Sequence, residues 1–255
     1  MLLSYLFRGD FKTFLISMLL SLPVIFFALS VHESAHGLVA YWMGDPTARN
    51  LGRITLNPVR HLDPVGFLAM LFIGIGWAKP VPINSRNFRN PKWGFALSSL
   101  AGPLSNFLLG IINAMLCGCI TALNMQILSP DNSLKSFGVI NIVNIISDHL
   151  SKYSALVPFR VILLYWLAQF FLIGAIINFI YSVFNLIPIP PYDGSRILLA
   201  FLPTKTYFAV MRYERQIMIA TLIVLLVVVY FFSPFTKAAY ILTNLFATPI
   251  YRLVS

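Results

Sequence analysis

Three long apolar runs restrict the fold of this chain more than any other feature of its sequence. They cover residues 14–43, 93–123 and 157–187, and each is long enough to cross the roughly 30 Å hydrocarbon core of a bilayer as a helix. Further apolar runs follow at 216–233 and 235–251. The pattern predicts an all-α polytopic membrane protein with about four to six transmembrane helices.

The composition agrees with a membrane protein and excludes two other classes. Of the 255 residues, 58% are hydrophobic and 10% are charged, whereas a soluble domain has about 45–50% apolar and about 25% charged residues. So apolar a chain is neither disordered nor an ordinary soluble enzyme. We expect one integral membrane domain over residues 1–255, with its core at about 15–203, additional C-terminal membrane helices at 216–251 and no soluble regulatory domain.

The net charge is +10, from 18 Lys and Arg against 8 Asp and Glu. The basic residues concentrate in the connections 44–92 and 192–215, so membrane topology and anionic lipid explain them better than nucleic acid does. The positive-inside rule predicts that both connections are cytoplasmic and that the N-terminus lies outside, in a cell (inner) membrane. Arg8 and Lys12 favour the opposite orientation.

A signal peptide is the alternative interpretation of the first apolar run. The tripeptide Ala28-Leu29-Ser30 resembles a cleavage site after an apolar core. The apolar character nevertheless continues to Met43, which favours a membrane helix.

The connections contain three further signals of local structure. Leu51–Asn57 alternates loosely between apolar and polar residues and ends before Pro58, which predicts a short membrane-associated β-strand. The run 64–78 is too short to cross a bilayer as a helix, so a re-entrant or buried segment is expected. Three prolines within 188–191 end the third long run shortly before Asp193.

Small residues recur every four positions along the second run, which places them on one helical face. This spacing is typical of closely packed membrane helices. The stripe consists of Ser98, Gly102, Asn106, Gly110, Ala114 and Gly118. Asn106 is its one strongly polar member.

The motif His32-Glu33-Ser34-Ala35-His36 lies inside the first apolar run. Residues four apart share a helical face, so His32 and His36 can both bind one zinc ion. Glu33 can then act as general base on a water molecule. Ionisable groups inside an apolar membrane helix are usually functional, which favours a metal site. The alternative is a hydrogen-bonded polar cluster that stabilises a helix bundle.

A catalytic zinc ion needs a third protein ligand. Glu214 lies in a charged cluster typical of a solvated loop, and Asp45 and Asp63 lie in polar loops. Asp193 is the acid that follows the proline-rich break of an apolar run, and Gly194 allows the backbone to turn there. We therefore predict Asp193 as the third ligand; the alternative is that it caps a following helix.

Several motifs in order resemble the site-2 protease family of intramembrane zinc metalloproteases. The similarity covers about residues 15–203 and is greatest to the compact bacterial branch without a PDZ or CBS domain. It rests chiefly on His32-Glu33-x-x-His36, Ala101-Gly102-Pro103-Leu104-Ser105-Asn106 and Asn185-x-x-Pro188-x-Pro190-x-x-Asp193-Gly194. Tyr192 departs from the family pattern, which usually has Leu before Asp-Gly.

The resemblance implies a zinc-dependent endopeptidase that cleaves a transmembrane protein or peptide within or near the lipid bilayer. One catalytic Zn²⁺ would be bound by His32, His36 and Asp193, with Glu33 as the catalytic base. Asn106 would bind the scissile segment or its oxyanion, although an interhelical hydrogen bond is an alternative role. The predicted strand around Arg53–Asn57 would receive an unwound substrate by strand addition.

Other functions and sites stay open at this point. The same ligands would suit a divalent metal transporter, and an inactive family member would serve as a membrane scaffold. His61 and Asp63 could form a second metal site but are expected to order their loop. Cys117 and Cys119 lie two apart on a helix and cannot hold one ion together.

Overall fold

The computed structural model describes residues 9–73, 78–128, 136–153, 157–203 and 233–255, together with parts of 206–224. The helices that it delimits, numbered here in chain order, are α1 (Phe11–Trp42), α2 (Thr47–Asn50), α3 (Pro64–Ile73), α4 (Pro91–Leu128), α5 (Val139–Tyr153), α6 (Phe159–Asn185), α7 (Asp193–Phe201) and α8 (Ser233–Val254), and residues 216–221 are also helical. Single turns of 3-10 helix occur at Pro58–Arg60 and Ser85–Asn87.

Helices α1, α4 and α6 are long and apolar enough to cross a membrane, and they coincide with the three long apolar runs of the sequence. Helix α1 has 32 residues, which extend about 48 Å at 1.5 Å per residue and therefore exceed the hydrocarbon core of a bilayer. The chain is thus a helical membrane protein. The segment 216–233 lies largely outside the described residues, so the total of four to six spans stays a prediction.

The predicted β-strand at Leu51–Asn57 is wrong, and so is its core at Arg53–Asn57. This segment forms turns and bends, and across the described residues the β-structure consists of an isolated bridge between Leu62 and Ala78. The reason lies in Thr55, whose backbone N–H and carbonyl both bond to the Ser34 hydroxyl. Side chains therefore satisfy backbone groups that a partner strand would have paired.

The structure tests part of a second local prediction and confirms the third. That the run 64–78 is re-entrant or buried stays a prediction, and its residues 74–77 lie outside the described residues. Residues 64–73 form the ten-residue helix α3, which is too short to cross a bilayer. Helix α6 ends at Asn185, before the prolines, and Tyr192 is the N-cap residue of α7, so Asp193 is the first residue of that helix rather than its cap.

The chain divides into two compact units, and helices α4 and α6 contribute residues to both. The first consists of Met1–Asn106 and Tyr181–Ser233, and the second of Phe107–Ile180 and Pro234–Ser255. The second unit has a core that includes Phe179 and Tyr251. Close packing there depends on the small-residue stripe, because a Cβ atom added at Gly118 would lie 2.2 Å from the carbonyl oxygen of Ala247.

Candidate metal centre

Helix α1 places the two histidines of the HExxH motif side by side. Their rings are four residues apart on one face, with centroids 4.6 Å apart and planes at 88°. His32 and His36 are 6% and 7% exposed, whereas Glu33, on the adjoining face, is half-buried. The motif therefore presents two buried imidazoles and a more accessible carboxylate.

Asp193 reaches the same point from the start of helix α7. Its Oδ2 atom lies 3.2 Å from Nε2 of His32 and 3.4 Å from Nε2 of His36. Gly194 permits this approach, because a Cβ atom there would lie 2.2 Å from the carbonyl oxygen of Leu186. The structure thus brings together the three residues that the sequence selected as ligands, all within the first unit.

The donor set and its spacing fit a zinc ion. Four-coordinate zinc with bonds of about 2.0–2.1 Å separates neighbouring ligand atoms by about 3.3 Å in a tetrahedron. The two His–Asp separations of 3.2 and 3.4 Å agree with that value, and all three ligand atoms lie within 4.8 Å of one another. Two neutral imidazoles and one carboxylate also leave the open position that a catalytic zinc requires.

The remaining ring nitrogen of each histidine has a hydrogen-bond acceptor. Nδ1 of His32 donates to Oδ1 of Asn106 at 2.5 Å, and Nδ1 of His36 donates to the carbonyl oxygen of Ser98 at 2.7 Å. In a neutral imidazole, donation from Nδ1 leaves Nε2 as the unprotonated nitrogen that can bind a metal, and the bond also restrains the plane of the ring. Apart from the place of Ser98 on the small-residue stripe, nothing in the amino-acid pattern indicates this role.

Asn106, predicted to contact substrate, is fully buried beside His32. Its Nδ2 atom also donates to the carbonyl oxygen of Ala28 at 3.4 Å. Within the structure the side chain therefore links helix α4 to helix α1 and orients the imidazole of His32. A contact with substrate stays a prediction.

Gly102 allows helix α4 to pass against the two imidazoles. A Cβ atom at this position would lie 2.4 Å from Cε1 and Nε2 of His36 and 2.7 Å from Cε1 of His32. Atoms cannot approach so closely, so a larger residue would displace the ligands. The small-residue stripe thus has a second function in the first unit, besides helix packing.

Glu33 has a fixed partner outside the metal ligands. Its Oε2 atom accepts a hydrogen bond from the backbone N–H of Val81 at 2.8 Å. Val81 lies in the irregular segment after the bridge at Ala78, far from Glu33 in sequence. Nothing in the amino-acid pattern indicates this contact.

Asp45, His61 and Asp63, the alternative candidate ligands, instead stabilise the connection between α1 and α4, and Glu214 lies outside the described residues. Oδ1 of Asp63 accepts from Gly66 N–H at the start of α3, and Nε2 of His61 donates to the carbonyl oxygen of Thr55. Asp45 is fully buried and accepts bonds from three residues of its own loop. In the part of the chain that the structure describes, one group of three or more His, Cys, Asp or Glu side chains could hold a metal ion, and it consists of His32, His36 and Asp193.

Comparisons with known proteins agree with this geometry. The family model described as peptidase family M50 matches residues 20–229. A protein of Bacillus subtilis (strain 168) named "Putative zinc metalloprotease YwhC" is 36% identical over 176 residues, which are 69% of this chain and 66% of that protein. The chain therefore spans about two thirds of the length of this curated relative. No solved structure matches it.

Proposed function

Because the chain belongs to peptidase family M50, the site-2 protease family, we propose that it is a zinc-dependent intramembrane endopeptidase. The observation that carries the proposal is the convergence of two imidazoles and one carboxylate at the spacing of zinc ligands. The reaction is hydrolysis of a peptide bond in a transmembrane protein or peptide. One zinc ion per chain, held by His32, His36 and Asp193, is sufficient for it.

Glu33 is the general base of the proposed reaction. When bound, zinc polarises the scissile carbonyl and lowers the pKa of a water molecule to about 7. Glu33 accepts a proton from the attacking water and passes it to the amine that leaves. Within the described residues its hydrogen bond to Val81 occupies Oε2, so Oε1 is available to the water.

Burial of the ligands explains why the chemistry is compatible with a membrane. Lipid cannot solvate ionisable side chains, so helices must enclose them. His32 and His36 are almost fully buried among protein atoms, and Ser98 and Asn106 satisfy their second nitrogens. A substrate helix would have to unwind near this site, because a helical peptide bond is hydrogen-bonded and inaccessible.

The proposed location is the cell (inner) membrane, with connections 44–92 and 192–215 in the cytoplasm. The supporting observation is the concentration of basic residues in these two connections. The three candidate spans support a multi-pass membrane protein, and a fourth span at 216–233 is part of the proposal.

Replacing one carboxylate tests the proposal. Glu33→Gln removes the base but keeps all three ligands, so the purified variant should hold zinc as the wild type does. Membranes of cells that produce the wild type should contain membrane-protein fragments that are missing with Glu33→Gln, as detected by mass spectrometry of peptide termini. Asp148→Asn makes the same chemical change at an exposed position and should leave the fragments unchanged.

The same experiment distinguishes a protease from a metal transporter and from an inactive scaffold. A divalent metal transporter would keep its flux in the Glu33→Gln variant, because the ligands are intact, and would yield no Glu33-dependent fragments. An inactive scaffold would yield none either. Fragments that persist with Glu33→Gln would contradict the proposed role of Glu33.

A further inference from the structure

We infer that Arg53 is a positioning residue for catalysis, which holds the segment 79–81 so that Val81 N–H fixes the carboxylate of Glu33. The inference rests on the proposed function of Glu33 as the base. Within the described residues, the hydrogen bonds of the Arg53 side chain go to the carbonyl groups of Lys79 and Pro80 and not to Glu33 or the three predicted ligands. The connecting element is the short irregular segment after the bridge at Ala78.

The guanidinium of Arg53 binds the backbone of this segment directly. Its Nη2 atom donates to the carbonyl oxygen of Lys79 at 2.8 Å and to that of Pro80 at 3.3 Å. The next residue, Val81, donates its N–H to Oε2 of Glu33 at 2.8 Å. The cation of Arg53 therefore binds the carbonyl groups of residues 79 and 80, and the carboxylate of Glu33 binds the next N–H group of the same segment.

The segment has few other ways to keep its position. Pro80 and Pro82 have no N–H to donate, and Lys79 N–H donates to the carbonyl oxygen of His61 at 2.8 Å. The side chains of Lys79 and Pro80 are exposed, whereas Val81 is buried. Without Arg53, the segment would keep the Lys79–His61 bond, the burial of Val81 and the Val81–Glu33 bond, but the carbonyl groups of Lys79 and Pro80 would lose the donor that holds them.

Arg53 is a buried cation whose side-chain hydrogen bonds, within the described residues, go to backbone carbonyl groups. The residue is only 9% exposed, and its Nε atom is buried without a hydrogen-bond partner. Within the described residues no carboxylate lies at ion-pair distance from it. Burying a cation without an ion pair destabilises the folded state. A neutral donor could bind two carbonyl groups with a smaller desolvation penalty.

The position of the Glu33 carboxylate affects the rate of the proposed reaction. The bond from Val81 N–H restrains Oε2 of Glu33, which leaves Oε1 to accept a proton from the attacking water. Small misplacements of a catalytic group can cost about a hundredfold in rate. Because Arg53 acts on the base rather than on substrate, its loss should lower kcat and leave KM nearly unchanged.

Hydrogen–deuterium exchange tests the structural step without any substrate. In a peptide that spans residues 79–82, only Lys79 and Val81 have exchangeable amides, because the other two residues are prolines. Arg53→Gln should speed exchange of the Val81 amide by about tenfold or more in the full-length protein. Glu33→Ala, which removes the acceptor, gives the reference rate, and Arg60→Gln at an exposed position of the same loop should match the wild type.

Kinetics test the catalytic step. The probe is a synthetic peptide that spans the bond cleaved in the Glu33-dependent comparison above. Arg53→Gln should lower kcat by about 10–100-fold with KM within about twofold and with zinc content equal to that of the wild type. Arg53→Lys should restore part of the rate and of the amide protection, since a single nitrogen makes both bonds to the segment and an ammonium has three donors.

The outcomes distinguish this inference from the proposed function. Wild-type exchange and kcat in Arg53→Gln, with cleavage still dependent on Glu33, would overturn the role of Arg53 alone. A rise in kcat would also overturn it, because Val81 would then block Glu33 rather than orient it. If Arg53→Gln does not fold, Arg53→Lys decides by the same two measurements. Absence of any Glu33-dependent cleavage would defeat the proposed function, and this inference with it.

Discussion

At the scale of single residues, the two histidines differ in what holds them. His36 donates to a backbone carbonyl of Ser98, which no substitution removes, whereas His32 donates to the side chain of Asn106. The His32 contact can therefore be deleted by mutation. Such partners of metal-binding histidines typically contribute 10–100-fold, as an order of magnitude, to metal affinity.

Asn106→Ala should accordingly lower zinc affinity by about 10–100-fold, because His32 loses the acceptor that fixes its tautomer and ring plane. Asn106→Asp keeps an oxygen at the same place and should retain most of the affinity. Zinc titration against a chromophoric chelator measures both. Unchanged affinity in Asn106→Ala, together with lost cleavage, would assign Asn106 to the substrate rather than to His32.

Gly102→Ala should prevent stable zinc binding while the protein still folds. The added methyl group would lie 2.4 Å from the ring of His36, and the ring must move out of reach of the ion. Gly118→Ala on the same helix is the matched control, since its Cβ meets Ala247 instead and should reduce stability without reducing zinc content. Equal zinc content in the two variants would show that a methyl group at position 102 does not displace the histidines, which would contradict this prediction.

At the scale of elements, the loop between α1 and α4 depends on a buried carboxylate. Asp45 accepts hydrogen bonds from Thr47 N–H, from Asn84 N–H at 2.7 Å and from the Asn87 amide at 2.8 Å. Burial raises the pKa of Asp45, but bonds from Thr47, Asn87 and Asn84 outweigh it and hold the pKa below its usual value. The ionised form therefore stabilises the loop.

Asp45→Asn should lower the free energy of unfolding by about 1–3 kcal/mol at neutral pH. The reason is that Thr47, Asn84 and Asn87 would lose their charged hydrogen-bond acceptor. A lowered pKa means that the wild-type advantage is complete above the unfolded value of about 3.9 and disappears as pH falls through the folded value. Thermal unfolding at pH 7 and at progressively lower pH measures the difference. Asp148→Asn, at an exposed site, should show little change at any pH.

The elements also show which features a sequence can reveal. The apolar runs predicted α1, α4 and α6, and the spacing of His32 and His36 predicted their shared face, because both depend on helical periodicity alone. The strand at Leu51–Asn57 failed because alternation does not show which groups bond to the backbone, and here Ser34 bonds to Thr55. Contacts such as Val81 with Glu33 join distant segments and leave no local pattern.

At the scale of the whole molecule, the distribution of basic residues predicts an orientation in the membrane. Arg60 lies exposed in the connection 44–92, and Ser151 lies exposed in the connection between α4 and α6. These two connections are separated by one candidate span, α4, and should face opposite sides. The connection that contains Arg60 is proposed to be cytoplasmic.

A membrane-impermeant maleimide tests the orientation. In intact cells Ser151→Cys should react and Arg60→Cys should react only after permeabilisation. The wild type measures the background from Cys117 and Cys119, the first of which is buried. The reverse labelling pattern would place the N-terminus inside, as Arg8 and Lys12 favour.

The most direct test of the account is the coordination of zinc in the purified full-length protein. We predict one zinc ion per chain, with an X-ray absorption spectrum that shows two imidazole nitrogens and oxygen ligands at about 2.0–2.2 Å. Asp193→Ala, His32→Ala and His36→Ala should each remove the ion. Sulfur ligands in the spectrum, or full zinc content in Asp193→Ala, would contradict the metal centre from which the proposed hydrolysis follows.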